Sequence, residues 1–156
     1  MVIRAITLAA LLTSLALPAA AAGPSAAIMA TVNGIVAAVN ADKAADVNSY
    51  FSSNGHIVDD FAPYVWNGAD AGSRWWTASD KDLAKNGVAS LRATVQTITR
   101  YGAVGDDAYV VVPLSLSYTM KGKPARASGL WTLTLHQTGG SWKITSATWA
   151  TTSGSV

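Results

Sequence analysis

Between Ser25 and Asn40 the apolar residues Ile28, Val32, Ile35, Val36 and Val39 recur at helical spacing and form one stripe, which predicts an amphipathic helix. Pro24 fits at or just before its first turn. Asp42 stands where an N-cap would open a second, short helix that buries Val47, Tyr50 and Phe51. Asn54-Gly55 would end that helix, with the glycine in the left-handed position. His56 to Asp60 reads as extended, and Ala62-Pro63 breaks any helix after it. Asn67 is the expected cap of a third helix, with Asp70 in its first turn. Gly72, Trp75, Trp76, Ser79 and Leu83 share a face of that helix, and Asn86-Gly87 closes it.

From Leu91 onward the period changes to two. Leu91–Tyr101, Asp107–Met120, Ala127–Gln137 and Trp142–Ala150 are rich in Val, Thr, Leu, Tyr and Trp and are separated by glycine turns, the signature of strands. Val110, Val112, Leu114, Leu116 and Tyr118 alternate with Tyr109, Val111, Pro113, Ser115 and Ser117, and Trp131, Leu133 and Leu135 alternate with Thr132, Thr134 and His136. The more apolar set should meet the helices. The chain is therefore expected to form an α+β domain: three N-terminal helices packed on an antiparallel sheet of four long strands plus a short one. The outer face keeps Tyr109, Val111 and Pro113, which points to a homodimer joined through the sheet.

Ahead of the first helix the pattern is different. Arg4 is followed by an apolar run from Ala5 to Leu17, then Pro18 and the small residues Ala19–Ala22. This is the order of a signal peptide, expected to span 1–22, and the run is shorter than the ~20 residues of a membrane span. The folded domain is then 23–151, with 152–156 a frayed tail, and the protein is exported, periplasmic or secreted, with no stable membrane insertion. There is no cysteine, so thiol chemistry is excluded and stability must come from packing. Without Arg4 the basic and acidic residues nearly balance, and the lysines form no stripe of the kind that follows phosphates, so nucleic-acid binding is not expected.

All nine acidic residues are aspartates, so a catalytic carboxylate has to be an Asp. The stretch His56–Trp76 sets Asp59 and Asp60 among Phe61, Tyr64, Trp66, Trp75 and Trp76, the composition of an apolar pocket with one ionisable group. Asp60 is the candidate general base, its pKa raised by Tyr64, Trp66 and Trp75. It could equally cap the following turn. Asp59 points the opposite way, and a bulge would exchange the two. His56 lies about 13 Å from Asp60 along a strand, too far for a dyad, and His136 should face outward. Two histidines without H-x-H or H-E-x-x-H spacing give no metal site, and no cofactor is called for.

Several segments carry a family likeness. Ala37-Ala38-Val39-Asn40-Ala41-Asp42 looks like an "AALNAGD" helix end, and Phe51 matches a phenylalanine of the next helix. His56-Ile57-Val58-Asp59-Asp60 is similar to an "ATVED" strand, with Gly68 at the matching distance. Ser141-Trp142-Lys143-Ile144 resembles a "GxWKI" hairpin. With the order of elements, these resemble the NTF2-like superfamily in its SnoaL-like and ketosteroid-isomerase-like branch, over roughly residues 25 to 150. The resemblance implies a cone-shaped fold with a pocket inside a curved sheet. It puts Asp60 on the position of the isomerase base. The two oxyanion donors of that enzyme would fall near Ile35 and near Trp131, where only the Trp131 indole N–H can donate. One missing oxyanion donor costs about 10²–10³ in rate, so isomerisation by that route is not expected.

The sequence thus points to a cone that binds a small apolar or aromatic molecule beside Asp60, in a pocket formed by Tyr64, Trp66, Trp75, Trp76, Trp131 and Tyr118. Two alternatives stand beside it. One is a cofactor-free lyase, isomerase or cyclase with Asp60 as base. The other is a dimeric scaffold whose cone is filled by its own tryptophans.

Overall fold

The computed structural model describes residues 23–154. The expected signal peptide at 1–22 lies outside the described residues, as do 155 and 156. The first helix, α1, spans Ala26–Asn40, and the Ser25 hydroxyl caps it by accepting from the Ile28 N–H at 3.3 Å. The predicted stripe is its buried face.

The second helix departs from expectation. Asp42 does not open it. Asp42 has φ 55, its N–H bonds the Val39 carbonyl, and the next N–H, that of Lys43, reaches back to Ala38. This is a left-handed stop for α1, so Asp42 ends one helix instead of starting the next. The short α2 covers Ala44–Ser49, with Lys43 at its N-cap and no side-chain cap. It stops before Phe51, which begins strand β1, Phe51–Val58. Phe51 is buried as expected, but from a strand. Gly55 lies inside β1 and does not end a helix.

Strand β2, Val65–Asn67, pairs antiparallel with β1, placing Asn67 opposite His56. That pairing takes Asn67 out of the cap position expected for it. Helix α3, Ala71–Lys85, has Asp70 at its N-cap and buries Ala71, Gly72, Trp75 and Trp76. The expected first long strand is divided into β3, Val88–Val95, and β4, Arg100–Val104. Both pair with β5, Asp107–Met120, β4 along its first part and β3 along its second. Strands β6, Lys123–Thr138, and β7, Ser141–Ser153, complete the sheet. β7 runs past Ala150 to Ser153, so Thr152 and Ser153, expected in the tail, are strand residues.

The sheet has seven strands in the order β2-β1-β7-β6-β5-β3, with β4 beside β5. It is mixed, because β1 and β7 are parallel. The long hairpins β5–β6 and β6–β7 are antiparallel as expected. Register shifts interrupt the β1–β7, β3–β5 and β6–β7 pairings, and such bulges bend a sheet and increase its twist. The helices cover the inner face of this curved, open sheet. Val110, Val112, Leu114, Leu116, Tyr118, Trp131, Leu133 and Leu135 all face them and are buried, as the alternation predicted.

Candidate functional site

Between α1, α3 and the sheet lies a cavity of about 400 Å³. Trp75, Trp76, Trp131 and Trp149 wall one part of it, together with Phe61, and Val36, Val39, Leu91, Leu114 and Leu116 wall the rest. The indoles touch in series. Trp75 and Trp76 lie 5.9 Å apart between centroids, Trp75 and Trp131 5.7 Å, and Trp131 and Trp149 6.5 Å. They arrive from three elements. Trp75 and Trp76 leave α3 toward the sheet, whereas Trp131 and Trp149 are cross-strand partners on β6 and β7.

Three of the four indole N–H groups are engaged. Trp75 donates to Asp59 Oδ2 at 2.6 Å, Trp76 to Asp42 Oδ1 at 2.9 Å, and Trp149 to the Thr151 hydroxyl at 3.1 Å. Trp131 has no hydrogen-bond partner among the described residues.

The buried carboxyl is that of Asp59 and not of Asp60. Asp59 follows β1 in phase with Phe51, Gly55 and Ile57, all buried, so its side chain enters the interior and is 8% exposed. Its two oxygens accept from the Trp75 indole and from the Asp60 backbone N–H, the latter at 2.7 Å. Burial drives its pKa from 3.8 up to about 6; these two hydrogen bonds oppose the rise and the neighbouring Asp60 charge adds to it. Asp60 takes the outward phase. It is exposed at the rim of the cavity, where Oδ2 accepts from the Thr151 hydroxyl at 2.9 Å. The inward carboxyl, expected at Asp60, is thus that of Asp59, and both carboxyls line the cavity. The phase of Ile57, the apolar residue two before Asp59, was the signal that decides between them.

Of the expected pocket residues, Trp75, Trp76 and Trp131 line the cavity. Tyr64 does not. It sits in a turn with φ 71 and is 58% exposed. Trp66 is buried, but on β2 opposite Ile57, where it packs against Phe61 at 5.0 Å and not against the cavity. Tyr118 is buried on the inner face of β5, beyond Leu116 and outside the lining. Trp149, Phe61 and Thr151 are lining residues that the sequence reading did not place there. His56 bonds the Asn67 side chain on the surface, and His136 meets Asp107 at 2.8 Å, so neither histidine approaches the cavity. No cluster of metal-ligating side chains is found among the described residues.

One further residue shapes the wall. A side chain on Gly129 would overlap the Trp149 ring and come within 2.8 Å of the Ala150 carbonyl. The glycine is what lets that indole lie over β6.

A family model described as a SnoaL-like domain matches residues 28–148. Among curated proteins no sequence matches the chain. In structure it is similar to a ketosteroid isomerase-like protein from Erwinia carotovora atroseptica, with TM-score 0.66 and 17% identity over 82% of this chain and 95% of that one. It is similar to the hexachlorocyclohexane dehydrochlorinase LinA-type3 from Novosphingobium barchaimii, with TM-score 0.69 and 10% identity over 83% and 87%. An uncharacterized protein with a cystatin-like fold from Caulobacter vibrioides matches with TM-score 0.64 and 23% identity over 81% and 88%. At these identities the likeness concerns the fold.

Proposed function

The chain belongs to the SnoaL-like domain family, and we propose that its cone binds a small apolar or aromatic molecule in the indole-walled cavity. The observation that carries this reading is a space of about 400 Å³ lined by four tryptophans and one buried carboxyl. Small-molecule sites have this size and character: mostly apolar walls with a few placed polar groups. The cone is not plugged by its own tryptophans, which speaks against the scaffold alternative. Titration with 2-naphthol, followed by indole fluorescence, tests the reading. Saturable quenching is expected, and it should vanish when Leu116→Trp fills the cavity. No saturation by any member of a panel of apolar and aromatic compounds, charged ones included, would remove the binding reading.

A second reading is favoured by Asp59 itself. A carboxyl whose pKa has risen to about 6 is a better proton acceptor than an ordinary one and is still ionised at neutral pH. Trp131 leaves an N–H free to meet an oxygen on the bound molecule. A cofactor-free lyase or isomerase would use Asp59 as base, with Asp60 at the rim. In that case Asp59→Asn abolishes turnover and leaves binding within a few-fold.

We also read the protein as exported and as a homodimer joined through the outer face of its sheet. Export is checked by sequencing the N-terminus of protein recovered outside the cytoplasm, where Gly23 is expected first.

A further inference from the structure

We propose that the molecule held in the cavity is an organic cation, an alkylated ammonium on a small apolar body. This rests on the reading that the cavity binds a small molecule, and it names the charge of that molecule. Three carboxylates line the cavity, those of Asp59, Asp60 and Asp82, and no Lys, Arg or His side chain does. The ion pairs found among the described residues join Lys43 to Asp46, Arg74 to Asp70 and His136 to Asp107, so none of the three cavity carboxylates has a cationic partner there. Buried charge is normally paired. Here Asp59 is buried beside indoles with only N–H donors for company. The rest of the cavity is apolar, and a neutral apolar guest would leave this negative charge uncompensated.

The indoles supply the second half of such a site. The faces of aromatic rings attract cations, tryptophan most strongly. Neighbouring rings in this wall are inclined at 55°, 57° and 85° to one another. Rings inclined in this way are not a pair of parallel walls but meet the space from several directions. An alkylated ammonium spreads its positive charge over carbons pointing in every direction, so it can meet several inclined faces together. A bare ammonium is strongly hydrated, and walls that are mostly carbon offer its three N–H donors fewer acceptors than water does. Binding a cation would favour the ionised form of Asp59, against the neighbouring Asp60 charge, which disfavours it; Asp60 and Asp82 attract the same cation, and no basic side chain lining the cavity repels it.

The test compares phenyltrimethylammonium with tert-butylbenzene, its neutral isostere, by indole fluorescence at low salt. The cation is expected to bind at least ten-fold more tightly, and more tightly at pH 7.5 than at pH 5. Asp59→Asn, Asp60→Asn and Trp149→Leu should each reduce the preference; Asp60 is exposed, so its replacement leaves folding intact. Equal or tighter binding of the isostere overturns the cation inference and leaves the cavity reading standing. Binding of neither probe, while 2-naphthol saturates, overturns it as well. Binding of no probe of any charge overturns both.

Discussion

Asp59 and Asp60 are consecutive and chemically identical, yet the backbone puts one among indoles and the other at the rim. The consequence can be measured through pH. The folded pKa of Asp59, about 6, lies above its ordinary 3.8. Between those values the folded protein holds a proton that the unfolded chain has released. Its contribution to stability is therefore full below about pH 4 and is lost as pH rises through 6, a cost of about 3 kcal/mol at 1.36 kcal/mol per unit. Asp59→Asn removes this term. It also sets an amide N–H against one of the two donors that now point at the carboxylate, which costs about 1–3 kcal/mol. The variant is expected to be less stable than the parent at pH 4.5, and to recover relative to it by about 2 kcal/mol at pH 7.5, in urea midpoints at the two pH values. An unchanged difference would mean that Asp59 is not buried as described. A second expectation follows from the 2.6 Å bond from Trp75. A hydrogen bond to a charged group is worth about 1.5–3 kcal/mol, so Trp75→Phe should raise the Asp59 pKa by roughly one to two units, read from its carboxyl carbon by NMR. That a carboxylate sits among aromatic residues was legible in the sequence. Which one was not, because the alternation had to be counted from Ile57 inward, while the family likeness drew attention to Asp60.

The elements divide by how local their causes are. Helix α1 and the alternation of β5 and β6 were legible because one-sided burial writes a period into the sequence. The stretch from Asp42 to Gly55 was misread for the opposite reason. Val47, Tyr50 and Phe51 suit a helix face, but β1 is held by parallel pairing to β7, whose residues lie at the far end of the chain and leave no local pattern. The wall made by β6 and β7 depends on a similar distant match. Trp131 and Trp149 are cross-strand neighbours with rings at 85°, and Gly129 leaves room for the second ring. Gly129→Ala should push that indole out of place and cost about 1–3 kcal/mol, the usual range for overpacking. The expected signs are a lower urea midpoint and an altered near-ultraviolet circular dichroism spectrum. Trp149→Phe in the same chain should recover part of the loss, because the smaller ring clears the new methyl group; additive losses would show that the two positions do not meet.

At the scale of the whole molecule, one curved sheet has to satisfy two surroundings. Its inner face is covered by three helices, and the chain has no cysteine to help hold it. Among the described residues no helix or strand covers its outer face. Cross-strand partners share a face, so Tyr109 with Thr134, Val111 with Thr132, and Pro113 with Leu130 form the middle of that outer surface. Tyr109 is 44% exposed there. Arg100 on β4 shares this face beside Val111, Arg92 on β3 shares it beside Ser117, and Asp107, His136 and Arg126 lie toward the ends, so the uncharged part is the strip along β5 and β6. A second copy is the simplest cover, since a two-fold axis brings the same patch to both sides and needs no other protein. A stable contact of this kind buries about 800 Å² on each partner, which a patch spanning β5, β6 and β7 can supply. The protein is therefore expected to sediment at twice its monomer mass. Tyr109→Lys places a charge at the centre of the joint, so it should shift the protein to monomers without changing ligand-induced quenching of the indoles on the other face. A parent protein that sediments as a monomer at high micromolar concentration would remove the dimer and leave the cavity untouched, because the two faces of the sheet share strands but no side chains.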